Sequence, residues 1–511
     1  MDELARLILS LTKSEKRYFK MFTALQSGEK SYLKLFDAVE KMEDYDEEKI
    51  KKIFKGEDFI KRLPSVKNYL YNQILKSLRV SYGGNTLHSQ LVEMIEEISI
   101  LYEKRLYKQC AKIIERAKML AKTNENILQE MEINFWEQKV MMEVLNLDKF
   151  EKTLESSLEK DIQLIESQMN VVQYRNLYNK IILINKRIKE ARTDEEMEQF
   201  QKIINHPLMQ SVSTAKSFDS KYCFYQTHLI YNHAKGNNEA CLEIAKNLLE
   251  LLEQFPQKIA ESPKMYVTTL NNILLCEIHT HNYRTFSQTL TKLRAFPLKS
   301  LSIEVNRFVN SYTFEMVKYL DTGEFGKSVG IREEIIQGLK KYADKTNEIE
   351  KSTLLYNLFY SYFGTGEYSK AQEIINILLN EYQKELRYDI QGAVRILNLI
   401  LHYELRNDRL LEYNAISTYR FLNKSNRLYK LEKIVLDFIR KKMQHIYTPK
   451  DEREAFIELR KEFMKLTEDS YEKKAFEYFD FISWLDSHIE KKSFEEIVKK
   501  KFEMRATQDG K

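Results

Sequence analysis

Glycine and proline are scarce in this chain: 13 and 6 residues of 511, together under 4% against a usual share of roughly 12%. Few turn formers over such a length mean few turns and long elements. Cysteine is scarce too. Cys110, Cys223, Cys241 and Cys276 show no C-x-x-C spacing and build no disulfide framework, which fits a reducing compartment. No long apolar run occurs, and stretches such as "IILI" at 181–184 fall far short of a membrane span of roughly 20 residues. The opening "MDELARLILSLTK" has acidic residues where a signal peptide needs positive ones. A cytoplasmic protein without membrane contact is expected.

Neither sign of charge dominates. Against 81 Lys and Arg stand 76 Asp and Glu, a net charge of +5. Most of that excess sits in residues 1–85, where 17 basic residues face 13 acidic ones. Such a surplus is small for a dedicated nucleic-acid binder. What the chain does have is charge of both signs, 31% of residues, in helix-favouring stretches such as "EEKIKKIF" and "EKKSFEEIVKKKFE". An all-α fold is expected.

Three segments share a helix–turn–helix pattern around glycine: "NHAKGNNEACLEIAKNLL" at Gly236, "KYLDTGEFGKSVGIREEII" at Gly323 and "YFGTGEYSKAQEIINILL" at Gly366. Their separations are 87 and 43, the first about twice the second. Stepping by that period reaches further polar breaks at Arg105, Asp148, Thr193, His281, Asn407, Pro449 and Lys492. Two residues after the break the chain is aromatic in six of ten cases: Tyr107, Phe150, Tyr283, Phe325, Tyr368 and Phe494. A ring there can plug the corner where the second helix leaves the turn. Residues 86–504 therefore read as about nine to ten helix pairs, and 505–511 as a disordered tail. Each pair leaves an apolar face that only a stacked neighbour can bury.

The best instance resembles the tetratricopeptide repeat. Its characteristic positions fall on Leu355, Leu358, Phe359, Tyr362, Gly366, Tyr368, Ala371, Ile375 and Leu378, and Cys110 and Ala117 take comparable small slots earlier. Phe359 stands where that family has a small residue, and the period exceeds the family's 34. HEAT-like pairs of about 40–47 residues are the rival class. The resemblance implies a right-handed α-solenoid that binds a peptide or protein segment in its concave face, without catalysis. In that register Tyr356 and Tyr360 would face the groove. The Lys/Asn clamp by which some family members hold a C-terminal carboxylate is not recognisable here.

"GGN" at 83–85 marks a boundary, and before it helices are expected at 2–10, 13–26, 30–42, 46–54 and 65–81. Thr12 and Glu15 have capping-box spacing at the head of the second. Lys13, Lys16, Arg17 and Lys20 then share one face, with Tyr18, Met21, Phe22 and Leu25 on the other. In the last helix Val66, Leu70, Ile74 and Leu78 line one side and Asn68, Asn72, Lys76 and Arg79 the other. Asn and Arg suit bidentate contact with adenine and guanine edges, so a helix-turn-helix reader of DNA is one reading of 1–85. Docking of an acidic partner and a solvated cap are the others. The corresponding whole-chain alternative is a transcriptional regulator whose solenoid senses or docks a ligand.

No phosphate-binding, dinucleotide, zincin or nucleophile-elbow motif occurs. His228 with His233, and His279 with His281, have spacings that build no metal site on one helix face. Cys241 and Cys276 fall in apolar helical segments and read as buried small residues. No catalytic, cofactor or metal residues are expected.

Overall fold

The computed structural model describes residues 2–24, 31–42, 45–82, 86–144, 147–188, 194–298, 300–382, 388–424, 428–442, 446–468, 472, 476 and 478–508. Among them the regular structure is entirely helical. The chain divides into two compact units: residues 1–173 with 215–220, and residues 174–214 with 221–511. The division falls within the helix Leu147–Ile188. The boundary expected at 83–85 lies outside the described residues.

The first unit opens with the helices Glu3–Ser10, Lys13–Ala24, Ser31–Glu40, Glu47–Ile53 and Leu63–Tyr82. Their apolar faces meet in one core that includes Leu4, Ile8, Phe19, Leu35, Phe36, Leu70 and Ile74. The box at Thr12 forms: its N–H donates to Glu15 Oε2 at 2.6 Å, and the Glu15 N–H donates to Thr12 Oγ1 at 3.3 Å. One expected face is turned. Phe19 is the buried ring, 4.8 Å from Phe36, Tyr18 and Phe22 are half-buried, and Met21 is exposed; Leu25 lies outside the described residues. Contact with Phe36 fixes the rotation of the helix, and a heptad-like count cannot supply it. The helices Leu87–Glu103, Tyr107–Thr123 and Ile127–Val144 then pack successively around Leu91, Ile98, Cys110, Ile114 and Ile133.

In the second unit successive helices again pack on their neighbours in chain order. The run is Asn238–Gln254, Pro263–His279, Phe286–Ala295, Leu301–Asp321, Glu348–Gly364, Tyr368–Asn380, Tyr388–Glu404 and Asp408–Lys424. Its corners share one geometry. Arg105 in the first unit, and Gly236, His281, Gly323, Gly366, Arg406 and Lys491 in the second, all have φ between 51° and 75°. Behind each, the next N–H bonds the carbonyl five residues back: Leu106 to Leu101 and Asn237 to Asn232 at 2.9 Å, Asn282 to Glu277 at 3.0 Å, and Glu367 to Tyr362 at 2.9 Å. This is the Schellman ending, which ties off carbonyls that the helix leaves unsatisfied.

Five of these residues are the breaks read from the sequence. At the other two the left-handed residue precedes the expected Asn407 and Lys492 by one. Asp148 stands at the head of the helix Leu147–Ile188, Thr193 lies outside the described residues, and Pro449 opens the helix Pro449–Leu466. Two of the six rings two residues on pack against the first helix as expected, Tyr107 on Tyr102 (5.6 Å) and Tyr368 on Phe363 (5.3 Å). Tyr283 lies on Phe286 and Phe502 instead, and the Phe150 side chain lies outside the described residues. Phe325 lies over Gly364 so closely that a Cβ there would sit 2.2 Å from the ring. Five residues after six of the seven corners the second helix buries Cys110, Cys241, Phe286, Ser328, Ala371 or Leu411, whereas Glu496 after Lys491 is exposed.

The C-terminal hairpin, Phe481–Glu490 and Phe494–Gln508, packs on the preceding helix Pro449–Leu466 and also returns to earlier ones. Phe494 stacks on Phe325 at 5.5 Å, and a Cβ on Gly323 would fall 2.8 Å from the Lys499 amide nitrogen. Residues 505–508 are helical, Arg505 comes within 3.7 Å of Asp321, and 509–511 lie outside the described residues.

Candidate functional site

In the first unit the basic row is partly neutralised from within. Lys20 pairs with Asp37 at 2.8 Å and with Glu40 at 2.9 Å, and Lys16 approaches Glu40 at 3.6 Å. Those bonds raise the Lys20 ammonium and hold the Glu40 carboxyl below its usual range. Lys13 and Arg17 are exposed and make no ion pair among the described residues. Together with Lys16, Lys20, Met21 and Ala24 they border a shallow depression of about 650 Å³. Asn68, Asn72, Lys76 and Arg79 are all exposed on the helix Leu63–Tyr82, and Asn72 Nδ2 donates to the Asn68 carbonyl at 3.0 Å.

In the second unit Tyr356 and Tyr360 project from the helix Glu348–Gly364 onto a non-helical segment of the chain itself. The Tyr356 hydroxyl donates to the carbonyl of Tyr478 at 2.5 Å. The Asp480 N–H donates to the Tyr360 hydroxyl at 3.0 Å. Burial first, then nearby acidic groups, pushes the Tyr360 phenol well up. Phe479, between the two bonded residues, lies 4.9 Å from the Tyr360 ring. Residues 478–480 thus cover Tyr356 and Tyr360, held by these two main-chain hydrogen bonds and by the buried Phe479 ring, which also packs on Phe363 and Phe494.

Sequence reading missed an open stretch. A cavity of about 520 Å³ lies between the helices Pro263–His279 and Leu301–Asp321. Lys264, Thr268, Asn271 and Asn272 border it on one side, Asn306 and Asn310 on the other. The signal was present in the spacing. Tyr356 and Tyr360 stand ten and six residues before Gly366; Asn271 and Leu275 stand ten and six before His281, and Thr313 and Val317 before Gly323. The spacing from the corner is shared, and only the side chains change.

Elsewhere polar clusters brace the fold. Glu404 accepts from Trp484 Nε1 at 2.6 Å and contacts His488 Nε2 at 2.8 Å, joining two helix pairs. His228 Nε2 bonds the Met209 carbonyl at 3.0 Å, and burial lowers its imidazole pKa. All four cysteines are buried and none is in a disulfide. Among the described residues no group of three or more His, Cys, Asp or Glu could hold a metal ion, and no helix is long and apolar enough to cross a membrane. No protein-family model and no curated protein matches this chain.

Proposed function

We propose that this chain is a non-enzymatic cytoplasmic scaffold, a tetratricopeptide-like right-handed α-solenoid that binds a segment of a partner protein along the wall of its first helices. HEAT-like pairs remain the rival class. The repeated Schellman corners, the rings two residues on and the buried residue five on support a helical repeat of about 43 residues. One observation carries the binding reading: the wall already holds polypeptide, since Tyr356 and Tyr360 grip the backbone of residues 478–480. Affinity purification of the intact chain, with mass spectrometry reading proteins and co-purifying nucleic acid, tests it. A reproducible protein partner is expected, and nucleic acid alone would contradict it.

A second reading, a regulator that binds DNA through residues 1–85, rests on the exposed row Asn68, Asn72, Lys76 and Arg79. Internal pairing of Lys16 and Lys20 weighs against it. It requires a salt-dependent shift of duplex DNA by the full chain that K76A/R79A weakens. Absence of any shift at low salt sinks it.

A further inference from the structure

We infer that the cavity between Pro263–His279 and Leu301–Asp321 is a backbone-reading site for an extended peptide, with Asn271 and Asn310 as its principal contacts; this rests on the scaffold reading above. At the shared wall position ten residues before the corner stand Asn271, Thr313 and Tyr356. Tyr356 spends its hydroxyl on a main-chain carbonyl. Asn271 Oδ1 and Thr313 Oγ1 are buried and have no hydrogen-bond partner among the described residues. Buried polar atoms are ordinarily hydrogen-bonded, so these two oxygens have accepting capacity left to meet.

The chemistry of the lining says what that is. An Asn side chain carries one acceptor and an NH₂ donor in the same plane, matching the C=O and N–H of a peptide group. Asn310 Nδ2 donates to Asn306 Oδ1 at 3.1 Å, so those two amides are already held in line. From Lys264 to Leu275 the wall runs about 16 Å along the helix, room for about five extended residues. The residues bordering the cavity include Lys264 and no carboxylate, which favours a neutral or acidic segment. Recognition through main-chain groups tolerates varied side chains, as in strand addition to a sheet edge. One helix further along, the chain's own residues 478–480 are bonded through two main-chain groups, with the Phe479 ring buried beside them.

The test pans a phage-displayed library of random dodecapeptides on the intact protein. Selected peptides, made synthetically, should bind N271L and N310L about tenfold or more weakly and should lose affinity when a central peptide bond is N-methylated. Because Asn271 carries an unpaired oxygen, N271L should melt no lower than the parent protein, which separates lost binding from lost folding. N310L reads the same loss from the opposite helix. Peptides that bind both variants as tightly as the parent overturn this site and leave the scaffold reading standing. A library that yields no binder overturns both.

Discussion

Glu432 lies in the first turn of the helix Lys430–Asp437, whose leading N–H groups are already taken. The Lys430 and Leu431 amides donate to Glu472 at 2.9 and 3.2 Å. Burial and the adjacent Glu472 charge push the Glu432 carboxyl up to about 7 from an ordinary value of 4.5. A carboxyl raised on folding gives stability that is full below about pH 4.5 and is lost as pH rises through 7. The variant E432Q keeps the shape and removes the titration. Its melting temperature should exceed that of the parent at pH 8 and match or fall below it at pH 5; a difference independent of pH would contradict this. Tyr360 gives a second case. Y360F leaves the Asp480 N–H without the acceptor seen here, at a cost of about 1–3 kcal/mol, readable as a lower urea midpoint with an unchanged slope. An unchanged midpoint would mean that residues 478–480 are not held there.

At the scale of elements the corners carry the account. A left-handed residue other than glycine is strained by about 1–2 kcal/mol, and Arg406 adopts φ 54° while Gly366 adopts 75° at the equivalent place. R406G should therefore be neutral or stabilising and G366A destabilising by about 1 kcal/mol, both read by urea unfolding. Equal effects of one sign would contradict a shared corner geometry. These corners were legible in sequence because a polar break and a following ring are local signals. The N-terminal helices were legible for the same reason: 13–26 was expected and Lys13–Ala24 is found, 65–81 was expected and Leu63–Tyr82 is found. The helix Leu147–Ile188 was not. The period called for a hairpin there, but residues 147–188 hold no glycine or proline to turn it.

On the scale of the molecule, neighbour-to-neighbour packing can be inferred from a repeat, whereas a return of the C-terminus cannot. The bonds from Tyr356 and Tyr360 to residues 478 and 480 span about 120 positions. Nothing in "EYFDFISW" distinguishes a segment that docks on an earlier helix from one that starts another pair. Hence the groove expected at Tyr356 and Tyr360 falls where the chain itself lies, while an open cavity is bordered by Asn271 and Asn310. The claim that this wall receives a partner's polypeptide is tested most directly by photo-crosslinking. A photoreactive residue replaces either Ile303, beside the cavity, or Met119, 71% exposed in the first unit, and the intact chain is irradiated in a lysate of its own cells. Position 303 should capture one defined protein segment, with the adduct mapped to residues 264–314 and diminished by N271L, while position 119 should not. Equal capture from both positions, or capture at 303 unaffected by N271L, would contradict the account.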